Sequence, residues 1–187
     1  MKGRLEVICG PMFSGKTEEL ARRVRRHLIA KQTVKAYKPS IDNRYGARSE
    51  IVSHIGNTVP ATTVDTRYTD NIYLLSRSFD IAAIDEVQFF DSGIVKNIKN
   101  LVDEGIIVIV SGLDQDFRGD PFGHMPELLA MADMVVKLKA VCNSCGADAN
   151  MTQRLIDGKP APYSGDTILV GAKDSYEARC RNCHERG

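Results

Sequence analysis

Residues 7–20, VICGPMFSGKTEEL, constrain the fold more than any other part of the chain. Gly10 is followed by four residues and then by Gly15-Lys16-Thr17, the spacing of a phosphate-binding loop. Such a loop works in one setting only, fed by a strand and leaving as a helix. Residues 5–9 supply the apolar strand. Leu20, Val24 and Leu28 recur at four-residue steps, which is a helical stripe. The loop is formed by Gly10, Pro11, Met12, Phe13, Ser14, Gly15, Lys16 and Thr17. Its backbone N–H groups turn inward around phosphate oxygens. Lys16 is a point charge for the β- and γ-phosphates, the Thr17 hydroxyl suits Mg²⁺, and the helix presents its positive end to the anion. The motif requires a nucleoside triphosphate; it does not say what the triphosphate is used for.

The rest of the chain repeats the strand–helix alternation. Residues 34–38 read as a second strand stopped by Pro39, and residues 51–64 alternate around Gly56-Asn57 as a hairpin does. Residues 81–84 form a short buried strand, 93–101 a helix, and 106–112 (IIVIVSG) a strand apolar on both faces. Residues 128–132 are expected to be helical and 134–141 to form a further strand. The expected class is α/β, a P-loop core with a mostly parallel central sheet flanked by helices. At Cys142 the character changes. No long apolar run follows, and glycines appear at 146, 158, 165 and 171. A segment this short needs a staple. We therefore expect residues 1–141 to form a nucleotide-binding domain and residues 142–187 a small zinc-ribbon-like domain.

The bulk numbers exclude some classes. With 187 residues and 43% hydrophobic composition, the chain builds one ordinary core. A net charge of +1 gives no global bias toward nucleic acid or an anionic membrane. Arg22, Arg23, Arg25 and Arg26 lie off the helical stripe and read as a solvated helix face. No apolar run approaches the roughly 20 residues that span a bilayer. The opening MKGRLEVICG reads as a strand rather than a signal peptide, so a cytoplasmic address is expected.

Two further elements carry chemistry. In residues 82–90, AAIDEVQFF, an apolar strand ends in Asp85, where phosphate-loop enzymes place a carboxylate that reaches Mg²⁺. Glu86 is adjacent. Neighbouring residues at a strand end point to opposite sides, so one acid can serve the metal and the other a substrate or an attacking water. The second element is the loop of residues 112–128, at the carboxyl edge of the central strand, where α/β folds bind ligands. Phe117 and Phe122, with Phe89 and Phe90, suggest a flat apolar slot for a base; plugs beneath the loop are the plain alternative.

Of the five cysteines, Cys9 sits in an apolar strand and reads as a small buried hydrophobe. The others form two Cys-x-x-Cys pairs, Cys142/Cys145 and Cys180/Cys183. Four thiolates in paired knuckles suit tetrahedral Zn²⁺. Two disulfides are the alternative, and a reducing compartment disfavours them. His184 could replace Cys183, but four cysteines already fill the shell.

In this order, GPMFSGKT, DEVQFF, DQDFRGDPFG and the cysteine pairs closely resemble the zinc-containing thymidine kinases, over nearly the whole chain. The resemblance implies an enzyme that transfers the γ-phosphoryl group of ATP to the 5′-hydroxyl of thymidine. It implies Glu86 as catalytic base, Thr17 and Asp85 at Mg²⁺, Lys16 on the phosphates, Gln88 in the nucleotide-site motif and Arg44 directed at the phosphates, with Asp42 beside it. It places Met12, Phe89, Leu113, Phe117, Phe122 and Thr152 around the thymine. It assigns Val170 and Gly171 backbone contacts to the base edge, and Tyr176 a contact to the nucleoside, on a substrate-closing loop tied to zinc through Cys180. Family members are usually homotetramers inhibited by dTTP. Two rival readings remain. Adenylate-type kinases insert their zinc lid mid-chain. A zinc-containing DNA-associated ATPase would carry a basic surplus. From Cys142 onward, Arg154, Lys159, Lys173, Arg179, Arg181 and Arg186 are balanced by Asp148, Asp157, Asp166, Asp174, Glu177 and Glu185.

Overall fold

The computed structural model describes residues 3–41, 50–52, 58–165, 167 and 174–187. In chain order the elements are β1 (Arg4–Cys9), α1 (Lys16–Ile29), β2 (Val34–Pro39), β3 (Glu50–Val52), β4 (Thr58–Pro60) and β5 (Thr62–Val64). Then come α2 (Asp70–Ser76), β6 (Ile81–Ile84), a 3₁₀ turn (Val87–Phe89), α3 (Gly93–Asp103), β7 (Ile107–Gly112), α4 (Met125–Met131) and β8 (Met134–Lys137). The chain closes with β9 (Ala140–Val141), β10 (Asp148–Ala149), β11 (Met151–Ile156), β12 (Lys159–Pro160) and β13 (Asp174–Arg179).

Six strands form the central sheet in the order β5-β2-β6-β7-β1-β8, and every neighbouring pair is parallel. This is the α/β architecture expected. Strand alternation sorts the apolar residues onto two faces. Leu5, Val7 and Cys9 of β1, with Val108 and Val110 of β7, pack against Ile94, Ile98 and Leu101 of α3 and Leu128 of α4. Ile8, Ile107 and Ile109 face the other way, onto Leu20, Ala21 and Val24 of α1. Covered on both faces, β7 is buried at every position, which explains its unbroken apolar run.

Several expectations need correction. In α1 the stripe stops at Val24. Leu28 is 49% exposed, outside both core clusters. Arg22, Arg25 and Arg26 are solvated as expected, but Arg23 is buried. It lies three residues from Leu20, so it reaches the sheet. There its Nη1 meets Glu6 Oε2 at 2.5 Å and its Nε meets Glu19 Oε1 at 2.9 Å. Pro39 is the last residue of β2, not the stop after it. The expected hairpin exists as the antiparallel pair β3–β4, but its Gly56-Asn57 turn lies outside the described residues, and the following residues leave to form β5, parallel to β2. The expected strand over 134–141 is two. After Lys137 the Leu138 N–H still bonds the Cys9 carbonyl at 2.8 Å, and the chain then turns away into β9. The helix expected at 128–132 begins earlier, with Pro126 in its first turn, where no intrahelical N–H is needed.

The C-terminal elements are antiparallel ladders, β9 with β10 and a three-stranded sheet β12-β11-β13. They enclose a small cluster of Ala140, Cys142, Ala149 and Ala178, with Cys180 and Cys183 against it. Among the described residues, no helix is long and apolar enough to cross a membrane.

Candidate functional site

The phosphate loop joins β1 to α1 at the carboxyl edge of the sheet. Gly10 has φ 143°, and a Cβ there would stand 2.4 Å from the Leu138 carbonyl oxygen, so only glycine fits. Phe13, also left-handed at φ 64°, is half exposed. Lys16 is buried and turned back into the loop, where its Nζ donates to the Pro11 carbonyl at 2.7 Å. The Ser14 hydroxyl donates to the same oxygen at 2.8 Å.

Three elements converge on Asp85, at the end of β6. The Thr17 hydroxyl of α1 donates to its Oδ2 at 3.1 Å, the Ser111 hydroxyl of β7 donates to Oδ1, and the Glu86 N–H donates to Oδ1 at 3.0 Å. Asp85 is 4% exposed. A hydroxyl beside a buried carboxylate is a donor set suited to Mg²⁺, which takes few protein oxygens and keeps its waters.

Glu86 follows with φ 49° and ψ 44°, a left-handed conformation that costs an ordinary residue roughly 1–2 kcal/mol. The two acids were expected to diverge by strand alternation. Instead β6 ends at Ile84, and the left-handed Glu86 turns the chain off it into the 3₁₀ turn. Gln88 Nε2 donates to Glu86 Oε2 at 2.6 Å, and the Leu113 N–H donates to Gln88 Oε1 at 3.1 Å. Phe89 is half-buried and meets Phe122 edge to face, 5.6 Å between centroids at 89°. Phe90 belongs to the core instead, at 2% exposure.

The loop after β7 is held from within by Asp116, whose Oδ1 accepts the N–H groups of Arg118 (2.8 Å) and Asp120 (3.1 Å). Gly123 lets it pass the 3₁₀ turn. Its φ is 52°, and a Cβ would lie 2.3 Å from the Gln88 carbonyl. Phe117 is sandwiched between the guanidinium groups of Arg118, at 5.2 Å, and Arg154, at 5.3 Å. Arg118 also lies 5.4 Å from the Tyr163 ring, and its Nη2 donates to the Gly165 carbonyl. From β11, the Thr152 hydroxyl accepts the Met12 N–H at 3.0 Å, tying the phosphate loop to the C-terminal sheet. Tyr176 pairs in register with Arg154. Arg44, Asp42, Val170 and Gly171 lie outside the described residues.

Ser111, Arg118, Arg154 and Tyr163 were not found from sequence. Ser111 left one trace, as the lone hydroxyl in an apolar strand. The three residues of the arginine–aromatic stack come from distant segments with no local signature.

The sulfur atoms of Cys142, Cys145, Cys180 and Cys183 all lie within 4.8 Å of one another, and Cys145 and Cys180 are 3.7 Å apart. A tetrahedral site with Zn–S bonds of about 2.3 Å has edges of about 3.8 Å; a disulfide needs about 2.05 Å. The thiols are free. N–H groups of Cys180, Cys145 and Ser144 hold the Cys142 thiol down to about 6, whereas neighbouring Cys145 and Cys180 push Cys183 up to about 12. The cluster is compatible with a structural zinc, all four positions taken by protein. His184 is turned away, its Nε2 at 2.8 Å from the Phe117 carbonyl.

Comparison with known proteins adds two findings. A family model described as thymidine kinase matches residues 3–184. The crystal structure of flagellar accessory protein FlaH from Methanocaldococcus jannaschii aligns with a TM-score of 0.53, over 80% of this chain and 76% of that one. At 11% identity this likeness concerns the fold alone.

Proposed function

The chain belongs to the thymidine kinase family, a family of phosphotransferases, and from that premise we propose that it transfers the γ-phosphoryl group of ATP to the 5′-hydroxyl of thymidine, yielding dTMP and ADP in nucleotide salvage. One observation carries the reading beyond the family match. Asp85 accepts hydrogen bonds from Thr17 and Ser111, and Glu86 accepts one from Gln88. One acid belongs to the triphosphate side and the other to an acceptor.

Phosphoryl transfer passes through a loose transition state, so positioning and charge do most of the work. Lys16 leaves the Pro11 carbonyl for the β- and γ-phosphates, and the loop amides hold the chain of phosphates in line. Thr17 and Asp85 hold Mg²⁺, which when bound neutralises charge on the phosphate oxygens. The thymidine 5′-oxygen forms a bond to the γ-phosphorus as the bond to the bridging β–γ oxygen breaks. The 5′-hydroxyl proton passes to the Glu86 carboxylate, and ADP leaves. Such base assistance contributes a factor of roughly 10² to 10⁴. Met12, Phe89, Leu113, Phe117, Phe122, Thr152 and Tyr176 line the nucleoside pocket, with Val170 and Gly171 on the base edge and Arg44 on the phosphates. Residues 142–187 act as a lid that keeps water from the γ-phosphate. Homotetramer assembly, inhibition by dTTP and a cytoplasmic location complete the proposal.

The test is thymidine-dependent ADP release without DNA. ATP turnover stimulated only by DNA would favour the rival, a zinc-containing DNA-associated ATPase.

A further inference from the structure

We infer that Gln88 is a positioning residue for Glu86, its side-chain amide fixing the orientation of the carboxylate that takes the nucleoside proton, and that it is not a nucleotide contact. The inference rests on the proposed role of Glu86 as base. Gln88 lies two residues beyond Glu86 and is 3% exposed. Its amide spans two groups of fixed polarity. A carboxylate oxygen can only accept, and a backbone N–H can only donate. Nε2 must therefore face Glu86 Oε2, at 2.6 Å, and Oε1 must face the Leu113 N–H, at 3.1 Å. The flipped amide would put oxygen against oxygen.

The packing around Gln88 is equally restrictive. A Cβ on Gly112 would stand 2.5 Å from Gln88 Oε1, and one on Gly123 would stand 2.3 Å from its carbonyl oxygen. Both the side chain and the backbone of Gln88 are thus held by close approach at two glycines. To reach a phosphate, the side chain would have to give up both hydrogen bonds. Glu86 departs from β6 in a left-handed conformation, so the pleat of the strand does not set where its side chain points. The relay from the Leu113 N–H through Gln88 ties the carboxylate to the end of β7, a strand buried at every position.

The test uses the full chain with Gln88→Met, which keeps length and loses the donor, Gln88→Asn, which keeps the amide but falls short, Glu86→Gln, and the double variant E86Q/Q88M. The readouts are kcat and the KM values for ATP and for thymidine. Gln88→Met is expected to lower kcat about 10- to 100-fold, part of the general-base factor. KM for ATP should hold within about twofold. Gln88→Asn should follow the same pattern, and it carries the test if the methionine variant does not fold. The double variant should be no slower than Glu86→Gln alone. A rise in KM for ATP with kcat unchanged would overturn the inference and make Gln88 a nucleotide contact. Additive losses in the double variant would overturn it too. If Glu86→Gln itself keeps kcat, the base assignment fails and the inference falls with it; if only the Gln88 variants keep kcat, the base stands and the inference alone fails.

Discussion

Lys16 and Ser14 share the Pro11 carbonyl, at 2.7 and 2.8 Å. Removing one donor leaves the other, so Lys16→Ala should fold with a melting temperature close to the parent. Transfer should be abolished, because the loop loses the lysine aimed at the β- and γ-phosphates, while nucleoside binding survives. Near-normal thymidine phosphorylation by this variant would remove the phosphate-loop assignment. Glu86→Gln keeps size and hydrogen bonding but removes the base. ATP binding should persist and kcat should fall by about 10² or more. A rise in KM for thymidine at constant kcat would make Glu86 a binding residue. Lys16 and Thr17 were legible in the sequence because a short motif on one strand–loop–helix unit carries them, and Asp85 and Glu86 because they directly follow a short apolar strand. Their partners were not. Ser111 reaches Asp85 from a separate strand, and Arg154 reaches Phe117 from the C-terminal sheet. Only tertiary contact distinguishes Phe89, beside the candidate pocket, from Phe90, in the core.

Among the elements, β1, α1 and β7 could be read directly because burial on both faces of the sheet forces a strong pattern. The short helix α2 left little trace. Its buried residues are Ile72 and Ser76, while Leu74 and Leu75 face solvent. β5 was hidden inside an apparent hairpin, because three residues carry no period of their own. The arginines of α1 looked alike in sequence, and only docking on β1 singles out Arg23. That docking makes a pH prediction. Hydrogen bonds from Arg22, and then from Arg23, hold the Glu19 carboxyl down to about 2. A carboxyl lowered on folding contributes stability that is fully present above its ordinary value and is lost as pH falls through the folded one. Its first partner, Arg22, is half exposed, so Glu19→Gln should cost about 1 kcal/mol or less at pH 7. In urea unfolding, the gap from the parent should narrow below about pH 4.5 and close near pH 2. A gap that does not change with pH would mean that Glu19 acts through packing alone.

At the scale of the whole molecule, the cysteine cluster joins two ends: Cys142 directly follows β9, and Cys180 directly follows β13. The segment beyond Cys183 then latches back. His184 meets the Phe117 carbonyl at 2.8 Å, and Glu185 exchanges two hydrogen bonds with Gln153 of β11, at 2.8 and 3.0 Å. Contact with the phosphate loop is narrower, through the Thr152–Met12 hydrogen bond. The consequence is an asymmetry. In small zinc modules the metal supplies on the order of 10 kcal/mol of folding free energy, and removing one ligand forfeits much of it. Cys183→Ser should therefore loosen residues 143–179 and release Phe117 from His184. The sheet around Lys16 keeps its own two-sided core and should stay folded. Thymidine binding should weaken far more than ATP binding, because the aromatic loop and the lid lose their anchor while the phosphate loop does not. Metal analysis should find one Zn²⁺ per chain in the parent, and limited digestion of the variant should cut first within 143–179. Titration of each nucleotide then measures the asymmetry itself. Equal weakening of both would mean that the two parts unfold as one unit. A zinc-free variant as active as the parent would show that the metal does not hold the lid.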